Sequence, residues 1–328
     1  MTDAAGKPAL LIFSHGELLG DALLKLPALS ALRPAFPDHH ITWLAGSGFS
    51  FYARQLKPLV EPLLDEVRED VTLGMSLKEY LRPPPPGFYD VIIDTQNKIK
   101  STLLLKRLQH RRFISSTAAF LFSDDRPDTP HKRGSVQRRL LQLIGLAAGR
   151  PVVANYALTL PDEYRSLAGQ LLPEGPCYIG LAPGSGVARK CWPLESYIEL
   201  ARRQILLNRA PVFFLGPAEA GWKNRINAEC PGCLFPEQAG PPPGGNGVLL
   251  SLALAERIAA GVANDSGTGH IFAIAGPPLV SLFGHSNAEK FVQDRAARIT
   301  LLARDFGGVE MHLIPVDAVC DAIDALLQ

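Results

Sequence analysis

The segment "GVANDSGTGHIFAIAG", Gly261–Gly276, decides how the rest of the chain is read. A short apolar run leads into Asp, Ser, Gly, Thr, Gly and His within six residues, and a helix-like apolar run follows at once. A buried strand that opens through small residues onto a helix start is how α/β proteins make an anion site. The helix N-terminus presents unpaired N–H groups and the positive end of its dipole to one point. The plainer reading is a βα loop whose helix is capped by Asp265 or Ser266, and on these residues alone it prevails.

Around this segment, short β-like runs alternate with helix-like runs along the whole chain, the pattern of βαβ units and parallel sheets. In the first half the strands are expected at Pro8–Ser14, "HITWLA", "VIIDTQ" and "RRFISS". Helices are expected at Asp21–Ala35, Ser101–Gln109 and Ser135–Ala148. The run Pro83–Pro86 can neither pair in a sheet nor continue a helix, so it reads as a stiff connection. After the polar stretch "LPDEYRSLAGQLLPEGP" a second series begins, with strands "CYIGLAP", "APVFFLG", "GVAND", "PLVSLFG" and "RITLLA". "PEQAGPPPGGNG" is a loop on composition, and apolar spacing behind Pro315 predicts a closing helix. Three parts are expected: a domain over 1–165, a second over 166–314, and the terminal helix 315–328. Each domain reads as doubly wound, with ligands at the carboxyl ends of its strands and the two facing each other across a cleft.

Bulk composition narrows the function. The chain has 328 residues, too many for one comfortable core. With 47% hydrophobic and 20% charged residues it is globular. A formal net charge of +1 offers no global field for nucleic acid, so anion binding must come from local clusters. Five scattered cysteines suit a reducing compartment, and Cys230 with Cys233 forms a lone C-x-x-C without a second ligand pair, which disfavours zinc. No stretch approaches the roughly 20 apolar residues a spanning helix needs, and the N-terminal apolar run reads as a strand rather than a leader.

Four loops carry chemistry, each after an expected strand. In "HGELLGDALLKLPAL", Gly20 permits a tight turn and Asp21 opens a helix. Asp21 is either an N-cap, the commoner fate, or a base that takes a proton from a hydroxyl. In "APGSGVARKCWPLESY" the P-loop pattern fails, because Arg189 stands at the second Gly and Cys191 at Ser/Thr. A small-residue loop with Lys190 remains, suited to a diphosphate, although an isolated lysine is more often a solvated charge. In "FFLGPAEAGW", Glu219 at a helix start can hold two ribose hydroxyls or merely compensate a dipole. The fourth loop is the opening segment, where Asp265, Ser266, Gly267, Thr268 and His270 offer N–H groups, hydroxyls and an imidazole.

Together, "LGDALLKLPALSALRPAFPDHHITWLAG", "YDVIIDTQNKIKSTLL", "APGSGVARKCWPLESY", "GPAE" and "NDSGTGHIFAIAGPPLVSLFG" occur in an order that resembles glycosyltransferase family 9, the lipopolysaccharide core heptosyltransferases. The likeness runs from the first strand to the final helix. It implies a two-domain GT-B fold and an inverting transfer that needs no metal and no cofactor beyond the nucleotide-sugar donor, usually ADP-heptose. It also implies Asp21 as general base and a donor site of Ser185, Lys190, Glu219, Asp265, Ser266, Gly267, Thr268 and His270. On the acceptor side it implies Gln96, Lys100 and Arg138, with the basic stretch "HKRGSVQRR" (Lys132, Arg133) assisting. The implied partners are a nucleotide sugar and a lipid-linked or oligosaccharide acceptor at the inner membrane face. The implied location is the cytoplasm, with peripheral contact at that membrane and no nucleic-acid partner. The absence of an Asp-x-Asp triplet agrees with metal-free transfer.

The chain also departs from the family pattern. His15 and Glu17 stand where a basic residue and a serine usually precede L-G-D, Asn97 replaces a Gly after Gln96, and Cys320 stands alone in the last helix. An acid at Glu17 weighs against a strongly anionic acceptor. Two alternatives share the fold: a non-catalytic sugar-nucleotide or glycan-binding homologue, and a GT-B-type sugar-nucleotide epimerase. A NAD-dependent Rossmann enzyme ranks last, for want of G-x-G-x-x-G.

Overall fold

The computed structural model describes residues 6–46, 48–69, 87–128, 135–285 and 297–328. Pro83–Pro86, Lys132 and Arg133 lie outside the described residues. Contacts divide the chain into two compact units, Met1–Ala157 and Leu158–Gln328. The division falls before residue 165 because α6 (Asp162–Leu171) packs on α9 (Gly247–Ala255) of the second unit. There Arg165 makes two hydrogen bonds to Glu256, at 2.9 and 3.0 Å, and the Tyr164 hydroxyl donates to the Pro243 carbonyl at 2.7 Å.

The first unit is a five-stranded parallel sheet in the order β3-β2-β1-β4-β5. Its strands are β1 (Ala9–Ser14), β2 (His40–Ala45), β3 (Glu66–Arg68), β4 (Phe88–Asp94) and β5 (Gln109–Ser115). Every residue of β1 is buried, as the unbroken apolar run requires of a central strand covered on both faces. The short edge strand β3 was not anticipated, since three residues including Glu66 and Arg68 carry no apolar signature.

The helix expected over Asp21–Ala35 is two, α1 (Leu19–Leu29) and α2 (Leu32–Ala35). Pro34 has no N–H to return to the Ser30 carbonyl, so the first helix stops short. After α3 (Lys57–Val60) and α4 (Ile99–Leu105), α5 (Val136–Ala148) begins on Ser135, whose hydroxyl accepts from the Arg138 N–H at 3.3 Å, and ends on left-handed Gly149.

The second unit is also parallel, in the order β10-β9-β8-β6-β7. Its strands are β6 (Tyr178–Ala182), β7 (Ala210–Phe213), β8 (Ala260–Asn264), β9 (Leu279–Phe283) and β10 (Arg298–Leu302). Helices α7 (Leu194–Leu206), α8 (Trp222–Glu229), α10 (Gly267–Ala275) and α11 (Val316–Leu327) complete it. The loop "PEQAGPPPGGNG" holds two short 3₁₀ turns, Pro236–Gln238 and Pro243–Gly245. Cys230 and Cys233 are buried in the core of this unit, and all five cysteines are free thiols.

In each sheet the strand order reverses at one place. In the first unit it is between β1 and β4, in the second between β6 and β8. Connections leave to opposite sides there, opening a crevice at the carboxyl ends of the two strands. The loops after β1, β4, β6 and β8 therefore occupy the positions where this architecture binds ligands, and three of the four loops with suspected chemistry are among them.

Candidate functional site

In the second unit the loops after β6 and β8 are tied directly together. Asn264, the last residue of β8, is buried and spends its side chain on the β6 loop and the first turn of α7. Its Oδ1 accepts from the Trp192 N–H at 3.0 Å and the Tyr197 hydroxyl at 3.2 Å, and its Nδ2 donates to the Pro183 carbonyl at 2.8 Å. Sequence reasoning passed over Asn264, although an Asn closing an apolar strand needs partners when buried.

Asp265 follows and turns toward Lys190, with Lys190 Nζ 2.6 Å from Asp265 Oδ2. The Asp265 carboxylate is 5% exposed and the lysine side chain 30%, so the ammonium meets solvent while its partner is enclosed. Lys190 is thus not a loose surface charge. The Ser185 hydroxyl donates to the Asp265 carbonyl at 3.4 Å. The choice of cap resolves to Ser266, whose hydroxyl accepts from the Gly269 N–H at 3.2 Å in extended backbone. Gly267, Thr268 and His270 occupy the first turn of α10, half-buried. A Cβ at Gly269 would lie 2.7 Å from the Asn264 carbonyl, so only glycine lets the helix start this close to the strand end.

Glu219 lies in the turn before α8 rather than at its first residue, its N–H donating to the Gly216 carbonyl at 3.0 Å. Its carboxylate packs on the β6 loop: a Cβ at Gly184 would come within 2.6 Å of Oε1. A second acid lies close by. Glu237 is half-buried and takes a hydrogen bond from the Ser251 hydroxyl. Burial, with the Glu219 charge adding to it, pushes Glu237 up to about 7. Nothing in "PEQAGPPPGGNG" marked Glu237, because its burial comes from packing against α9. The second unit thus brings Ser185, Lys190, Glu219, Asp265, Ser266 and the first turn of α10 together at the β6/β8 crevice. A cation, hydroxyls and a helix N-terminus serve an anion, and a flanking carboxylate serves a polyol.

In the first unit Asp21 is exposed, in the first turn of α1. It is not the cap: that position is Leu18, and no side chain among the described residues caps the helix. Behind Asp21 the loop is charged and buried. Glu17, expected as an acid on the acceptor surface, instead points inward and accepts from the Ser50 hydroxyl at 2.7 Å. Burial makes it a weaker acid than an ordinary glutamate, and Lys25 opposes that shift. His15 is half-buried, edge-on against Phe13, and burial, with Lys98 and Lys25 adding to it, holds its pKa below the ordinary histidine value.

After β4, buried Asp94 accepts from Thr102 at 2.6 Å, Ser115 at 2.9 Å and the Gln96 N–H at 2.9 Å, and burial lifts it to about 6. Gln96 Nε2 reaches Ser14 Oγ at 3.4 Å. Lys100 on α4 and Arg138 on α5 are exposed. Of the suspected acceptor residues, Gln96 is built into the crevice network of the first unit.

Comparison with known proteins now decides the family. The family model described as glycosyltransferase family 9 (heptosyltransferase) matches residues 85–303. The chain belongs to glycosyltransferase family 9. It is therefore a glycosyltransferase enzyme, and its paired Rossmann-like units are those of the GT-B fold.

The chain is 26% identical to lipopolysaccharide heptosyltransferase 1 of Pseudomonas aeruginosa over 302 residues, 82% of this chain and 77% of that one. A family 9 glycosyltransferase structure from Veillonella parvula matches with TM-score 0.72 at 21% identity, covering 98% of this chain and 97% of that chain. The E. coli heptosyltransferase WaaC with ADP-2-deoxy-2-fluoro heptose matches with TM-score 0.68 at 18% identity, covering 97% and 99%. Among the described residues of this family 9 member, no group of three or more His, Cys, Asp or Glu is placed to hold a metal. No helix among them is long and apolar enough to cross a membrane.

Proposed function

We propose that this glycosyltransferase moves heptose from ADP-heptose to a lipopolysaccharide core or related surface-glycan acceptor, with inversion and without a metal ion. The observation that carries the reading is the Lys190–Asp265–Ser266 arrangement at the head of α10, within a chain that matches the heptosyltransferase family. The E. coli heptosyltransferase WaaC binds ADP and ADP-2-deoxy-2-fluoro heptose in this fold, and the Pseudomonas aeruginosa relative is a lipopolysaccharide heptosyltransferase.

In this mechanism the donor diphosphate meets Lys190, the Ser185 hydroxyl and the first-turn N–H groups of α10, with Thr268 and His270 reaching phosphate or sugar. Glu219 accepts the ribose hydroxyls. Asp21 takes the proton from the acceptor hydroxyl as its oxygen attacks the anomeric carbon. The bond from that carbon to the diphosphate breaks, and the leaving oxygen gains negative charge. Lys190 and the helix dipole are already oriented to stabilise that charge, which is the role a divalent cation plays elsewhere. One displacement with one base inverts the anomeric configuration. Gln96, Lys100 and Arg138 hold the acceptor, and a lipid-linked acceptor brings the enzyme to the cytoplasmic face of the inner membrane as a peripheral protein.

Thermal-shift titration with ADP, UDP, GDP and CMP tests the donor, since stabilisation grows with the logarithm of ligand above its dissociation constant. ADP alone among the four is expected to raise the melting temperature. A response to UDP instead removes heptose as the donor sugar. Product formed from donor without acceptor favours an epimerase, whose fold this chain also approaches: a UDP-GlcNAc 2-epimerase structure from Methanocaldococcus jannaschii matches with TM-score 0.53.

A further inference from the structure

The Glu219 carboxylate is seated across two glycines at the ends of neighbouring strands, β6 and β7. A Cβ at Gly184, after β6, would stand 2.6 Å from both Cδ and Oε1 of Glu219. A Cβ at Gly216, after β7, would stand 2.9 Å from Oε2. Non-bonded heavy atoms rest roughly 3.5–4 Å apart, so neither position admits a side chain while the carboxylate stays in place. Backbone conformation does not call for glycine at either residue, since neither has a positive φ. Gly269 differs, because a Cβ there meets the Asn264 main-chain carbonyl.

The main chain beside both glycines is tied down. The Pro183 carbonyl accepts from Asn264 Nδ2 at 2.8 Å and the Ser185 hydroxyl donates to the Asp265 carbonyl at 3.4 Å, which fixes Gly184 between them. The Leu215 carbonyl accepts from Gln238 Nε2 at 2.8 Å, and the Gly216 carbonyl from the Glu219 N–H at 3.0 Å. A methyl group at either glycine therefore displaces the carboxylate, the free end of a flexible side chain, into another rotamer. Among the described residues no hydrogen bond or ion pair holds that carboxylate, so the two glycines orient it and both oxygens keep their capacity to accept from a ligand.

We infer that Gly184 and Gly216 are positioning residues that make the donor site selective for a ribose with both hydroxyls. They set Glu219 so that its two oxygens accept from the two adjacent hydroxyls of a nucleoside diphosphate. The inference rests on Glu219 being the ribose ligand.

The test is calorimetric binding of ADP and of dideoxy-ADP, which lacks both ribose hydroxyls, with UDP and dideoxy-UDP in parallel. The proteins are wild type, Gly184→Ala, Gly216→Ala, Glu219→Ala and the double variant Gly184→Ala/Glu219→Ala, each with its denaturant midpoint. Wild type is expected to prefer ADP over dideoxy-ADP by roughly 10- to 100-fold, the weight of hydrogen bonds to a carboxylate. Gly184→Ala is expected to lose most of that preference while its affinity for dideoxy-ADP and its denaturant midpoint stay near wild type. Gly216→Ala, whose added carbon meets one oxygen at the longer distance, is expected to lose less. In the Glu219→Ala background the methyl group meets no carboxylate, so Gly184→Ala is expected to change ADP affinity by less than about twofold.

A Gly184→Ala protein that keeps the wild-type preference for ADP overturns the inference. So does one that loses ADP and dideoxy-ADP equally, which is damage to the loop, or one whose loss persists undiminished in the Glu219→Ala background. A wild type that binds ADP and dideoxy-ADP alike removes Glu219 from the ribose, and the inference with it. The expected pattern obtained with UDP in place of ADP supports the inference and overturns the heptose donor alone. Binding of neither nucleotide overturns both.

Discussion

The two units share one architecture and build their crevices in opposite ways. In the second, the loops are wired directly to one another: Asn264 clamps the β6 loop, Asp265 holds Lys190, and Ser266 starts the helix. In the first, the Asp21 carboxylate is exposed, while Glu17, Lys25 and Asp94 are buried. A leaving diphosphate needs several donors arranged beforehand. A base needs one carboxylate whose surroundings are controlled from behind. On the proposed function, the asymmetry matches those two demands on a common fold.

Removing the proposed base breaks the comparison most severely. Asp21→Asn is expected to lower transfer by roughly 100- to 10,000-fold, the usual weight of a general base, while ADP raises its melting temperature as in wild type. Equal losses of turnover and of ADP response erase the division of labour.

The buried acids provide the next largest effect. Glu237 is raised from its ordinary value to about 7, so between those two values the folded protein binds a proton that the unfolded chain has released. Stability therefore falls as pH rises through that window, by on the order of 3 kcal/mol. Glu237→Gln cannot lose that proton. Its stability relative to wild type, measured by denaturant unfolding, is expected to climb from pH 5 to pH 8. Asp94, lifted to about 6, carries the same sign with a smaller span in the first unit.

Lys190→Met removes a charge-assisted contact worth about 1.5–3 kcal/mol, so ADP affinity is expected to drop roughly 10- to 100-fold by calorimetry. Asp21 variants should leave that affinity alone. The smallest effect sharpens the picture at the head of α10. Ser266→Ala deletes the cap and is expected to lower stability by about 1 kcal/mol, read as a shift in denaturant midpoint. If Asp265 were the true cap, Ser266→Ala would change nothing.

Much of this was legible along the chain. "HITWLA" is a strand over the residues expected, and β1 starts one residue inside the expected Pro8–Ser14, because a short, mostly apolar run between turn residues suits a strand buried on both faces. Pro315 before "VDAVCDAIDALL" opens α11, a proline fitting where a helix has no N–H to satisfy. The loops holding Ser185, Lys190 and Asp265–His270 were identified for the same local reason: small residues after a strand. Glu66–Arg68 was missed because a short edge strand takes its place from its neighbour β2, without an apolar pattern of its own. Glu237 was missed because the helix that buries it lies beyond a proline-rich loop. Glu17 was misread as a surface acid, since a lysine eight positions later and a serine beyond β2 decide where it points.

The sequence by itself determined two parallel α/β units, the strand-end loops with small and charged residues, and the ordered motifs that mark the family. These depend on periodicity and on residues adjacent in the chain, which act within a turn or two. Tertiary structure alone decided that Asp265 turns to Lys190 and leaves the cap to Ser266, that Asn264 closes one loop on another, and that Lys25 and Glu17 go inside. Those outcomes follow from which strands lie side by side after each crossover. A buried donor or charge takes the partner that the neighbouring strand end brings within about 3 Å, however far away that partner is in sequence.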